Sequence, residues 1–113
     1  MSAITTHVLD TASGRPARGV PVALERREGE GWTAVAKGTT DSDGRLQTLL
    51  PDGKELTPGT YRLVFDTASY FRAAGSATFF PEVLILFEAR DPKQRYHVPL
   101  LLSPYGYSTY RGS

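Results

Sequence analysis

The sequence predicts an all-β fold: an antiparallel two-sheet β-sandwich of about eight short strands with one brief helix. Three observations carry this. Apolar and polar residues alternate over short runs along the whole chain. Clusters of Gly, Pro, Asp and Ser divide those runs at regular intervals. Only one stretch shows helical spacing between recognisable caps. No internal repeat and no low-complexity tract interrupts the pattern.

Ile4, Thr6 and Val8 alternate with Thr5, His7 and Leu9, which predicts the first strand. Thr11 to Pro16 is rich in turn residues and reads as a loop. Val20 to Arg27 alternates again, and Pro21 suits a strand start or an edge. Glu28-Gly29-Glu30-Gly31 turns the chain into Trp32–Thr40, so residues 20–40 read as a hairpin. Asp41-Ser42-Asp43-Gly44 is a tight turn, followed by a short extended Arg45–Leu49. Pro51-Asp52-Gly53 and Pro58-Gly59 punctuate a loop, after which Tyr61, Leu63 and Phe65 form one face of a strand.

Thr67 to Ala74 is the helix: Asp66 can N-cap it and Gly75 can take the left-handed position after it. It is short, so it must lean on tertiary packing. Pro81 to Arg90 is the most apolar strand. Its apolar residues fall on both faces, which predicts cover by the core on one side and by something else on the other. After Asp91-Pro92-Lys93, His97 to Leu102 is a strand bounded by Ser103-Pro104, and Tyr105 to Tyr110 is a last one with aromatic side chains to pack.

A chain of 113 residues fits one domain spanning residues 1–113. A formal net charge of +1 makes no electrostatic case for nucleic acid. Cysteine is absent, which excludes disulfides, thiol nucleophiles and Cys-based zinc sites. The first residues lack a basic segment followed by a long apolar one, and no stretch is long enough to span a membrane. The expectation is a cytoplasmic protein, or a periplasmic one if the N-terminus was processed.

Chemistry-bearing residues are few. The chain has two histidines, His7 and His97. Imidazole is the side chain best placed for proton transfer near neutral pH. Two histidines without cysteine make a poor zinc site, which usually needs three protein ligands, so neither metal nor cofactor is expected. Asp41-Ser42-Asp43-Gly44 fails as a calcium loop, because glycine comes too early and the cation Arg45 falls where a ligand should be. An Asx-type turn that fixes Arg45 is the better reading. Ser108 and Ser113 are the serine candidates, without a Gly-x-Ser-x-Gly elbow. Direct attack by water is favoured over a covalent serine route.

The C-terminal Tyr110-Arg111-Gly112-Ser113 is unusual for a chain end, where polar and flexible residues normally collect. With its lead-in His97-Val98-Pro99-Leu100-Leu101-Leu102-Ser103-Pro104-Tyr105-Gly106-Tyr107, it resembles the transthyretin-like family in its enzymatic branch, the 5-hydroxyisourate hydrolases. His7-Val8-Leu9-Asp10 with Gly14-Arg15-Pro16-Ala17, and Asp43-Gly44-Arg45, carry the same resemblance upstream.

The resemblance implies a transthyretin-like sandwich with its helix after the fifth strand. It implies hydrolysis of 5-hydroxyisourate, in urate breakdown, to 2-oxo-4-hydroxy-4-carboxy-5-ureidoimidazoline. His7, Arg45, His97 and Ser113 are then the catalytic group. His7, Arg45, Tyr110, Arg111 and Gly112 hold the purine-derived small-molecule substrate. The two histidines serve as base and proton donor, in an order the sequence leaves open. The resemblance also implies a homotetramer, a dimer of dimers with sites between the dimers. The same fold serves hormone carriers, which lack these histidines, the arginine and the tail. A carrier is therefore the rival reading, and a purely structural sandwich is the second.

Overall fold

A computed structural model describes residues 2–51 and 55–113. Its elements are β1 (Ile4–Asp10), β2 (Arg15–Pro16), β3 (Pro21–Glu28), β4 (Gly31–Thr39), β5 (Arg45–Leu46), β6 (Gly59–Phe65), α1 (Thr67–Ala73), β7 (Val83–Ala89), β8 (Tyr96–Ser103) and β9 (Gly106–Thr109). The predicted turn at Pro51-Asp52-Gly53 falls, apart from Pro51, outside the described residues.

The strands form two sheets. One has the order β4-β3-β6-β7. The other has five strands in the order β2-β1-β8-β9, with β5 also paired to β1. Because β2 pairs with Leu9 and Asp10 while β5 pairs with Thr6 and His7, the two short strands share one edge of β1. All ladders are antiparallel except β1–β8, which is parallel. No hairpin ties these two strands together, so nothing forces them to run in opposite directions.

The sheets enclose a core led by Ile4, Val8, Leu24, Leu63, Phe65 and Leu100. These positions alternate along their strands because successive side chains point to opposite faces. The other face of the five-stranded sheet is thereby left to Thr5, His7, Arg45 and His97.

The helix forms as its caps predict. The Asp66 carboxylate accepts the Ser69 N–H at 3.1 Å. Gly75 turns left-handed at φ 73°, and Ser76 and Gly75 return their N–H groups to Phe71 O and Arg72 O at 2.8 and 3.1 Å. This is a Schellman ending. Phe71 anchors α1 in the core, and the Tyr70 hydroxyl donates to Asp10 at 2.7 Å, tying helix to β1.

Three local expectations differ from the structure. The 11–16 loop contains β2, because its turn folds back on β1: Gly14 N–H reaches Asp10 O, and the Asp10 carboxylate accepts the Ala12 and Ser13 N–H groups. The extended segment after Arg45 keeps strand pairing only through Leu46, since β1 offers partners only at Thr6 and His7. The tyrosines of the last segment do not fill the core. Tyr107 stacks edge-on against Phe80 with centroids 5.3 Å apart, while Tyr105 and Tyr110 are exposed. On β7, an edge strand, the core covers one of the two apolar faces. Leu84 and Leu86, on its other face, are 47% and 57% exposed. Among the described residues no helix is long and apolar enough to cross a membrane.

Candidate active site

Register places the predicted residues side by side. Arg45 on β5 stands opposite His7 on β1, and Thr5 on β1 stands opposite His97 on β8. Thr5 and His7 are two apart on one strand and so share a face. His7 and His97 are then diagonal neighbours, roughly 7–8 Å apart at the backbone. Beyond β8, Gly112 bridges to His97 and donates its N–H to the His97 carbonyl at 2.8 Å. Residues some 90 apart in sequence thus meet on two neighbouring rungs of one sheet face.

A tight turn delivers Arg45. The Asp41 carboxylate accepts the N–H groups of Asp43 and Arg45, both at 2.9 Å. The Asp41 N–H donates back to Arg45 O at 2.9 Å. Gly44 is obligatory on two grounds. Its φ is 76°, and an added Cβ would lie 2.3 Å from Val8 O. That approach lets the Val8 N–H reach Gly44 O at 2.7 Å and locks the turn onto β1. His7 reads the same turn, with Nε2 at 2.8 Å from the Asp43 carbonyl oxygen. Among the described residues no three His, Cys, Asp or Glu side chains are grouped to hold a metal.

The charges of these groups act on one another. The Arg45 N–H, then that of Asp43, and the charges of Arg45 and His7 hold the Asp41 carboxyl below its usual range, against an opposing push from burial. His97 is pushed below the ordinary imidazole value, first by burial and then by the charges of His7 and Arg45; a hydrogen bond with the Thr5 backbone acts the other way. The shift favours the neutral ring.

A cleft of about 290 Å³ opens over this group, lined by Ser2, Thr5, Arg45, Gln47, Arg95, His97 and Ser113. Ser113 thus joins His97 and Arg45, and His7 stands beside them across the β1–β5 ladder. Gly112 closes on His97: a Cβ there would sit 2.5 Å from the imidazole Cδ2.

The other two tail residues go elsewhere. Tyr110 and Arg111 line a separate groove between β7 and β8. The Arg111 guanidinium donates to Gln94 at 2.9 Å and lies 4.9 Å from the centre of the Tyr96 ring. Ser108 pairs with Leu101, four residues along β8 from His97 and about 13 Å away at the usual rise. The residue that the motifs missed is Thr5, whose hydroxyl lies 2.8 Å from His97 Nδ1. Its only signal in the sequence is parity, since it shares the outward face of the first strand with His7.

Comparison with known proteins identifies the family and the fold. The sequence model described as the HIUase/Transthyretin family matches residues 4–112. A 5-hydroxyisourate hydrolase of Caulobacter vibrioides is 49% identical over 117 residues, covering 100% of both chains. The solved structure of the Klebsiella pneumoniae 5-hydroxyisourate hydrolase superimposes with a TM-score of 0.87 at 38% identity, again over 100% of both chains. Transthyretin from Sparus aurata superimposes with a TM-score of 0.91 at 31% identity, covering 99% of this chain and 97% of that one. The backbone alone therefore does not separate hydrolase from carrier.

Proposed function

The chain belongs to the HIUase/transthyretin family, and within it we infer a 5-hydroxyisourate hydrolase, acting as a single domain over residues 1–113. The observation that carries this reading is the group Arg45, His7, Thr5, His97 and Gly112, assembled from β5, β1, β8 and the tail on one face of one sheet. Opening a cyclic amide with water needs a base, a cation or donor for the developing oxyanion, and groups that hold the flat ring. His7 and His97 supply the proton chemistry as a pair. Arg45 binds the oxygen-rich, purine-derived ring through its planar fork and offsets the charge that develops. Ser113 lines the cleft with His97 and Arg45 and orients groups there, with water as the attacking group.

We also propose a homotetramer built as a dimer of dimers. Exposed Leu84, Leu86, Phe79, Tyr105 and Tyr107 support it, as aromatic and apolar surface of this kind is enriched at interfaces. The assembly gives Tyr110, 58% exposed, and Arg111 a role, because walls of a substrate site between subunits can come from a groove that does not face His97 of the same chain. A cysteine-free composition favours a cytoplasmic site of action.

The test is direct. Purified protein is added to freshly generated 5-hydroxyisourate, and its ultraviolet decay is followed against the spontaneous rate. Decay no faster than the blank, with saturable binding of a hydrophobic ligand, would establish the carrier reading instead.

A further inference from the structure

A neutral imidazole has one N–H and one lone pair, and its hydrogen-bond partners decide which nitrogen carries which. His7 Nε2 lies 2.8 Å from the Asp43 carbonyl oxygen. A carbonyl only accepts, so Nε2 holds the proton and Nδ1 holds the lone pair. On His97 the engaged nitrogen is the other one: Nδ1 lies 2.8 Å from Thr5 Oγ1. Thr5 is only 7% exposed and, although it lines the cleft, the acceptor within the protein that its hydroxyl proton can reach is His97 Nδ1. Among the described residues the hydroxyl has this one hydrogen bond. Its proton therefore points at Nδ1, and the proton of the neutral His97 ring sits on Nε2.

We propose that Thr5 is a positioning residue that holds His97 in the Nε2–H form, so that His97 presents a hydrogen-bond donor to the substrate carbonyl while His7 Nδ1 takes the proton from water. This rests on the hydrolase reading above and assigns the two histidines different work. Electrostatics point the same way. An imidazolium at His7 keeps its bond to the Asp43 carbonyl and stands near the Asp41 carboxylate. One at His97 would face the charges of His7 and Arg45. Gly112 sits against Cδ2, the carbon bonded to Nε2, so the donor edge of the ring lies on the side of the tail.

The steps balance. The water oxygen bonds to the carbonyl carbon, and its proton passes to His7 Nδ1. The C=O electron pair moves to oxygen, where His97 Nε2–H and Arg45 hold it. Collapse breaks the ring C–N bond, and His7 returns the proton to the departing nitrogen.

The experiment is a long-range ¹H–¹⁵N correlation spectrum of the ¹⁵N-labelled full chain above the ordinary histidine pKa of about 6.5, read together with kinetics. The expected spectrum has His97 Nε2 protonated and Nδ1 unprotonated. Thr5→Val should lose that single form and lower kcat about 10- to 100-fold, part of the roughly 10²–10⁴ that acid–base groups contribute, with KM changed less than about twofold. Thr5→Ser should restore both the spectrum and the rate. A wild-type His97 protonated on Nδ1 overturns the proposal, whether or not Thr5→Val folds. So does Thr5→Val turning over at the wild-type kcat. Wild-type protein with the expected spectrum and no hydrolysis overturns the hydrolase reading, and the role at the carbonyl with it.

Discussion

Replacing Gly112 by alanine adds one methyl group where the structure has no room for it. The new Cβ would lie 2.5 Å from His97 Cδ2, 3.2 Å from Cγ and 3.3 Å from Pro99 Cγ. Non-bonded carbons rest about 3.5–4.0 Å apart, so the imidazole or the tail must give by about 1 Å. Backbone strain is not the issue, since Gly112 is not among the glycines with positive φ. The tail is the softer side. At this residue the tail is held by the Gly112 N–H to His97 O bond at 2.8 Å, which contributes about 0.5–1.5 kcal/mol. Melting should therefore fall by about 2–12 °C, at roughly 4–8 °C per kcal/mol. Catalysis should suffer far more, because a 1 Å misplacement of a reacting group costs about 10²-fold. The assay is kcat on fresh 5-hydroxyisourate beside a thermal melt of the same preparation. A Gly112→Ala protein with wild-type kcat refutes the claim that this glycine seats the imidazole. One that loses activity only in step with its folded fraction refutes it too.

Three further outcomes are expected. Arg45→Lys keeps the charge but loses the planar fork, so steady-state kinetics should show a raised KM, a lowered kcat or both; wild-type values would make Arg45 a plain surface charge. Because the folded His97 pKa lies below the unfolded value of about 6.5, the unfolded chain binds this proton first as pH falls. That share of stability is whole above about 6.5 and is lost between there and the depressed folded value, so His97→Gln should flatten the fall of the urea midpoint between about pH 7 and pH 5; an equal fall in both proteins counts against it. Removing Tyr110 to Ser113 takes away the Gly112 bridge and the Arg111–Gln94 bond while leaving every strand of the core. Activity should collapse with the melting temperature nearly kept, and a tag after Ser113 should impair more than one at the N-terminus; a fully active chain ending at Thr109 would falsify the tail's part in the site.

A two-sheet sandwich suits this chemistry because its register is rigid. His7, Arg45 and His97 each hang from a ladder position, and the ladders of β1 to β5 and β8 set their spacing without a flexible loop. The turn at Asp41–Gly44 is irregular backbone, yet it too is pinned, by Val8 N–H and by His7 Nε2. The same backbone in a transthyretin carries other side chains, so function follows from what hangs on that face rather than from the sandwich.

Much of this protein was legible before any coordinates, and the physical reason is locality. Alternation marked Ile4 to Leu9 and the face of Tyr61, Leu63 and Phe65, because a strand's side chains alternate whatever lies beside it. The helix at 67–74 was legible because its caps at Asp66 and Gly75 act through bonds to residues three to five positions away. His7, Arg45 and His97 were legible as motif residues. What remained was long-range. The parallel β1–β8 pairing joins segments some 90 residues apart, and no local pattern encodes a partner at that distance. That pairing alone puts Thr5 against His97 Nδ1, which turns an unremarked strand threonine into the group that orients the ring. It also splits the tail. Gly112 and Ser113 reach His97 and its cleft, while Tyr110 and Arg111, contiguous with them in sequence, are carried to the groove beside β7. Pairing with β8 stops at Thr109 and resumes only at Gly112, so Tyr110 and Arg111 are carried past the strand between these two anchors while Gly112 and Ser113 return to His97.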